Sequence, residues 1–112
     1  DLEFSGLDPA RSYDFATTAN RGEPTYTNRL TKYTIIGADS CVNSSSSGAT
    51  VTDGGISTTF CTGYNTVNGY VARWTNIRPG ADGRFKVRAQ VGAGGDAQKA
   101  YAFDAFRLAQ TD

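Results

Sequence analysis

The sequence predicts an all-β protein, an antiparallel jelly-roll β-sandwich of about eight short strands. Three observations carry this expectation. No ten-residue window places apolar residues at helical spacing without Gly, Pro or a β-branched run intervening. Apolar residues recur instead at every second position. Clusters of Gly, Pro, Asn and Asp punctuate the chain at short intervals, as turns between strands require.

The elements follow in order. Leu2 and Phe4 alternate with Glu3, and Asp8-Pro9 opens a turn before Tyr13 and Phe15 flank Asp14. After a loop at 20–28, a strand spans 30–37. A second loop, 39–48, contains the serine run 44–47 and is expected to be mobile. Strands at 49–53 and 56–62 flank Asp53-Gly54-Gly55, whose glycines supply the positive φ of a tight hairpin. A loop at 63–68 leads to a strand at 69–77, and the segment 79–83 combines a Pro start with a Gly exit. Phe85, Val87, Ala89 and Val91 alternate with Lys86, Arg88 and Gln90, the clearest strand with one buried face. A loop at 92–99 precedes a last strand at 100–109. The long, uneven loops favour a sandwich over an up-and-down barrel.

The chain's 112 residues suit a single domain, 1–112, that buries roughly two-thirds of the surface exposed by the unfolded chain. Eleven Lys and Arg balance eleven Asp and Glu, so no bulk field draws in nucleic acid or an anionic membrane. Arg73, Arg78, Arg84, Lys86 and Arg88 form a basic stretch that alternation spreads over a solvated face. Histidine is absent, which removes the usual general base and the commonest zinc ligand. Asp8, Asp39, Asp53, Asp82 and Asp96 all fall in turns, where Asp commonly caps its own backbone. Glu23 with Asp104 or Asp14 could supply paired carboxylates, but no spacing asks for it. A protein without catalytic activity is expected. No cofactor is implied. Calcium is the only metal worth naming, near Asp39, Asp53 or the 92–96 loop, and no EF-hand pattern occurs.

Cys41 and Cys61 bracket one loop and hairpin, so a disulfide fits their placement, with a pair of buried free thiols as the alternative. A bridge would place the protein in an oxidising, extracellular setting. No apolar run approaches the roughly 18 residues of a membrane span. A start at Asp1, without Met, reads as a module excised from a longer secreted polypeptide. Asn43-Ser44-Ser45 matches the N-glycosylation pattern, of consequence only in a eukaryotic host.

Gly6-Leu7-Asp8-Pro9 with Tyr13-Asp14-Phe15, Asn28-Arg29 with Thr31, Tyr33 and Thr34, Gly69-Tyr70-Val71-Ala72-Arg73-Trp74, and Asp82-Gly83 with Phe85 together resemble a group of bacterial extracellular modules. These are galactose-binding-like β-sandwiches appended to secreted multidomain hydrolases, including metallophosphoesterase-like ones. The resemblance covers most of the chain. By fold analogy alone it implies sugar binding. A monomer with flanking domains of a parent protein is expected.

Sugar recognition needs a flat aromatic face and planar polar groups. Loop 20–29 offers Tyr26 as a platform, with Asn20, Arg21, Glu23, Asn28 and Arg29 around it. A second cluster contains Tyr64, Asn65 and Tyr70. The expected ligand site is Tyr26, Tyr64, Asn20, Arg21 and Asn65, and its partner a glycan or polysaccharide. Ordinary loop packing is the competing reading for the tyrosines, and a loop-fixing carboxylate pair the competing reading for Arg29. Trp74 is assigned to the core. The function expected is therefore a carbohydrate-binding accessory module, with a structural spacer or protein-interaction module as the alternative.

Overall fold

A computed structural model of residues 1–112 shows nine strands in two antiparallel sheets. They are β1 (Leu2–Phe4), β2 (Tyr13–Thr18), β3 (Leu30–Ile36), β4 (Ser40–Asn43), β5 (Thr50–Thr52), β6 (Ser57–Cys61), β7 (Ala72–Arg78), β8 (Phe85–Val91) and β9 (Ala105–Gln110). One sheet runs β1-β8-β3-β6-β5 and the other β4-β7-β2-β9. Four pairs are nested, β2 with β9, β3 with β8, β4 with β7 and β5 with β6, as in one long hairpin folded across two layers.

Alternation builds the core. Tyr13 and Phe15 of β2, Tyr33 and Ile35 of β3, Phe60 of β6, Ala72, Trp74 and Ile77 of β7, and Phe85 and Val87 of β8 meet between the sheets. Trp74 is fully buried, and its indole N–H donates to the Gly55 carbonyl at 2.9 Å, tying one sheet to the turn that joins β5 and β6 in the other. Burying aromatic side chains of this size stabilises the fold by about 1.5–3 kcal/mol each.

Strand β7 breaks its own alternation. Trp74 and Ile77 both face inward although they are three residues apart. The register against β2 shifts between Tyr13 and Phe15, and against β4 between Ser40 and Val42. Asn76 absorbs the extra residue at φ 51, a left-handed conformation that Asn tolerates better than most residues.

The strands expected over 69–77 and 100–109 begin later, at Ala72 and Ala105, and the structure departs further from the sequence expectation around residues 40–61. Residues 40–43, expected as loop, form edge strand β4, in which Ser40 and Val42 are exposed and only Cys41 and Asn43 are part-buried. The serine run is laid along β7 rather than free. Ser44 and Ser46 donate backbone N–H groups to Arg73 and Val71, and the Ser45 and Ser46 hydroxyls accept from the N–H groups of Arg73 and Val71. The expected disulfide is absent, and both thiols are free. Cys41 packs against the core from the four-stranded sheet. Cys61 follows inward-facing Phe60, so alternation turns it to the opposite face, where its thiol donates to the Tyr26 carbonyl at 3.3 Å. Side chains that diverge in this way cannot be bridged without moving backbone. Burial pushes the Cys41 thiol above the ordinary cysteine pKa.

Candidate functional site

Three loops converge where β2, β6 and β8 end and β3, β7 and β9 begin. Backbone bonds fasten them. Arg21 and Glu23 donate to the carbonyls of Thr62 and Gly63, while Thr62 and Gly63 donate to that of Arg29. From the third loop, Asp96 donates to the Asn28 carbonyl at 2.8 Å. Such close approach depends on two glycines. A Cβ on Gly63 would meet the Tyr26 carbonyl and lie 2.7 Å from the Tyr26 Cβ, and one on Gly95 would meet the Asn28 carbonyl and lie 2.8 Å from the Leu30 Cγ. Residues 26–30 are thereby held between two positions, 63 and 95, that can carry no side chain.

At the centre of this end the Arg29 guanidinium lies over the Tyr26 ring, 3.2 Å from its centroid, and donates to the Tyr101 hydroxyl. The Tyr101 ring is 5.9 Å from the same cation. Desolvation lowers the Arg29 pKa, but the hydrogen bond and charge of Tyr101, with a smaller part from Tyr26, outweigh it and raise the value above the ordinary one. The cation is thus fixed by aromatic groups, without any carboxylate. Below it, the Thr31 and Thr62 hydroxyls share a buried hydrogen bond of 2.7 Å, and Thr31 also donates to the Tyr101 carbonyl. The Tyr33 hydroxyl donates to the Ala102 carbonyl. Burial, with the nearby Asp104 charge, raises its pKa above the ordinary tyrosine range.

Of the residues expected to bind a ligand, the structure brings all five to this end but gives them different work. Tyr26 is part-exposed and clamped by Arg29. Tyr64 is part-exposed, and its hydroxyl has no partner within the chain; exposed Arg21 likewise makes no side-chain bond. Asn65 is only 4 % exposed. Its amide donates to the Tyr70 carbonyl at 2.9 Å and accepts from the Tyr70 N–H at 2.8 Å, so it latches the loop. Asn20 is a second latch. It accepts from the Gly22 and Asn65 N–H groups and donates to Thr66. Sequence reasoning missed Tyr101, which the alternation around 100–103 placed in a strand, and it expected a carboxylate partner for Arg29.

The acidic residues are largely engaged. Asp8, Asp82 and Asp96 each accept an N–H two residues on, and Glu23 does the same for Thr25. Asp14 pairs with Arg73, and Asp104 accepts from the Asn20 N–H. Asp53 departs from the turn-cap expectation. Its carboxylate takes hydrogen bonds from Lys32 and Ser57, which hold its pKa below the usual range against a smaller opposing effect of desolvation. Three acidic or thiol side chains converge nowhere in a way that could hold a metal ion. Asn43 of the glycosylation pattern donates its amide to the Gly55 carbonyl and the Thr58 hydroxyl, both at 2.8 Å. No protein-family model, no curated protein and no solved structure matches the chain.

Proposed function

We propose that the chain is a non-catalytic carbohydrate-binding accessory module of an extracellular bacterial protein, with its glycan site at the three-loop end. The observation that carries this reading is the Tyr26–Arg29–Tyr101 cluster, in which the cation covers one ring and bonds the hydroxyl of the other, at the same loop end as two groups without internal partners, the Tyr64 hydroxyl and the Arg21 guanidinium. Fixed aromatic rings offer a sugar's C–H surface an apolar face at little entropic cost, and an unpaired hydroxyl and guanidinium offer hydrogen bonds to its hydroxyls. The nested strand pairs support the jelly-roll, galactose-binding-like reading of the fold.

The alternative is a structural spacer or protein-interaction module, and one feature favours it. The surface depressions measure only 210 to 290 Å³, below the range of about 300–1,000 Å³ usual for small-molecule pockets. A polymer lying on an open surface needs no deep pocket, so the first reading survives this.

A glycan array on the chain tests the proposal. Tyr64→Ala should weaken the best neutral-glycan interaction by about 1 kcal/mol or more, the scale of an aromatic contact, with an unchanged melting temperature. Tyr26→Ala should weaken it as much and also lower stability, because Arg29 loses its platform. Silence across the array, or full affinity in both variants, would hand the function to the spacer reading.

A further inference from the structure

We propose that the outer face of the four-stranded sheet is a second site, which binds the carboxylates of an acidic polysaccharide with Arg107 as the principal contact. The strands carry six cations, Lys32, Arg73, Arg78, Lys86, Arg88 and Arg107. Lys32 pairs with Asp53, Lys86 and Arg88 with Asp1, and Arg73 with Asp14. Arg78 donates to the Ala10 carbonyl. Arg107 alone has neither an ion pair nor a hydrogen bond.

The register shows what surrounds it. Ala16 of β2 lies opposite Arg73 on one side and Arg107 on the other, so the two arginines stand about 10 Å apart at Cα, two strand spacings, across a residue that ends at Cβ. Depressions of 210 and 230 Å³ flank this row, and Ala16 and Arg107 line both. Ala105 and Ala109 lie on either side of Arg107 along β9, completing a low floor between raised guanidinium groups. On the strands of this face, three arginines oppose Asp14 alone, in a protein whose formal net charge is zero.

This chemistry selects a ligand class. A guanidinium fork matches a carboxylate in a two-point, charge-assisted contact. Arg107 offers a free fork, and Arg73, which Asp14 engages through Nη2 alone, stands across the floor as a second positive group, an arrangement that suits a chain presenting acid groups repeatedly. The one aromatic ring at its margin, Phe106, lines the 230 Å³ depression but packs on Phe4 and Phe15 of the inner layer, so the outer row itself presents no aromatic anchor of the kind that dominates protein interfaces. One unpaired cation is too few for nucleic acid, whose binding rests on many phosphate contacts. The choice of a polysaccharide over other carboxylates rests on the glycan-binding reading, but the residues are separate from the loop end.

Affinity electrophoresis of the intact chain through gels containing polygalacturonate, heparin or neutral dextran tests the proposal. Polygalacturonate should retard the protein, and this should fade at roughly 0.5 M salt, where exposed charges are screened. Arg107→Ala should weaken the interaction roughly tenfold, with an unchanged melting curve and unchanged behaviour toward dextran, while Arg107→Lys should recover only part of it. No retardation of the native chain by polygalacturonate, or equal retardation of Arg107→Ala, would overturn the proposal. Arg107-dependent retardation by heparin alone would also overturn it, by assigning the face to sulfate. A Tyr64→Ala variant that keeps full affinity for the best neutral glycan of the array would count against the loop-end site and leave this one standing.

Discussion

The Tyr33 ring packs between Phe60 and Phe103, at centroid distances of 5.5 and 5.6 Å, with its hydroxyl directed at the segment that leads into β9. Because burial raises its folded-state pKa, its contribution to stability is complete below the unfolded value of about 10 and declines as pH rises beyond it. Urea unfolding at pH 8 and near pH 11 should therefore show a fall in stability. Tyr33→Phe should flatten that fall, and an equal slope in the variant would assign it elsewhere. Asp53 works in the opposite direction, since its depressed pKa makes its contribution present above about pH 4 and lost as pH falls further. At this scale the sequence was legible only in part. Asn65 and Asn20 sit in polar loops, and a latch there looks the same as a ligand-binding amide until its hydrogen bonds are known. Tyr101 escaped notice because its stretch alternates Ala with aromatic residues, although no strand forms before Ala105.

Strand β7 shows how one residue can reset an element. With unbroken alternation, Asn76 and Arg78 would face the core in place of Ile77. The left-handed turn at Asn76 prevents this. Asn76→Val should cost about 1–2 kcal/mol, the penalty for forcing a side chain branched at Cβ into that conformation, whereas Asn76→Gly should stay within roughly 1 kcal/mol of the native chain. Thermal melts of both variants check this, and a valine variant as stable as the native chain would show that the bulge imposes no constraint. The shift was hidden in the sequence because period two alone places Ala72 and Trp74 correctly and says nothing of where the period slips. Strand β8 was legible in its bounds and its first half, since Phe85 and Val87 alternate with Lys86 and Arg88 and are buried, whereas Val91, expected on the same buried face, is 39 % exposed at the strand's end. Strand β4 was not, because an edge strand that exposes Ser40 and Val42 and buries only one side of Cys41 and Asn43 has the composition of a loop.

As a whole, the sandwich is narrow and elongated, 45 × 23 × 22 Å, with edges at β1 and β5 on one sheet and β4 and β9 on the other. Three of these edges are three or four residues long, too short to template much pairing with another chain. β9 is longer, and Arg107 interrupts its apolar character. Along the β1 and β9 side the layers meet through Phe4 and Phe106, 5.9 Å apart, and Phe106 remains 50 % exposed.

The directions of those two strands have a mechanical consequence. β1 runs from its pairing with Val87 toward Phe85, so its beginning points to the three-loop end, whereas β9 runs from Thr18 to Tyr13 and finishes at the far end. Tension between residues 1 and 112 therefore acts along the strands. It loads the perpendicular hydrogen bonds of each ladder in shear, all together rather than one after another. Three residue pairs join β1 to β8, against six between β2 and β9. When single molecules are stretched from their ends, β1 should detach first in a small early extension, and the remaining eight strands should then resist as one body until the β2 and β9 ladder gives way.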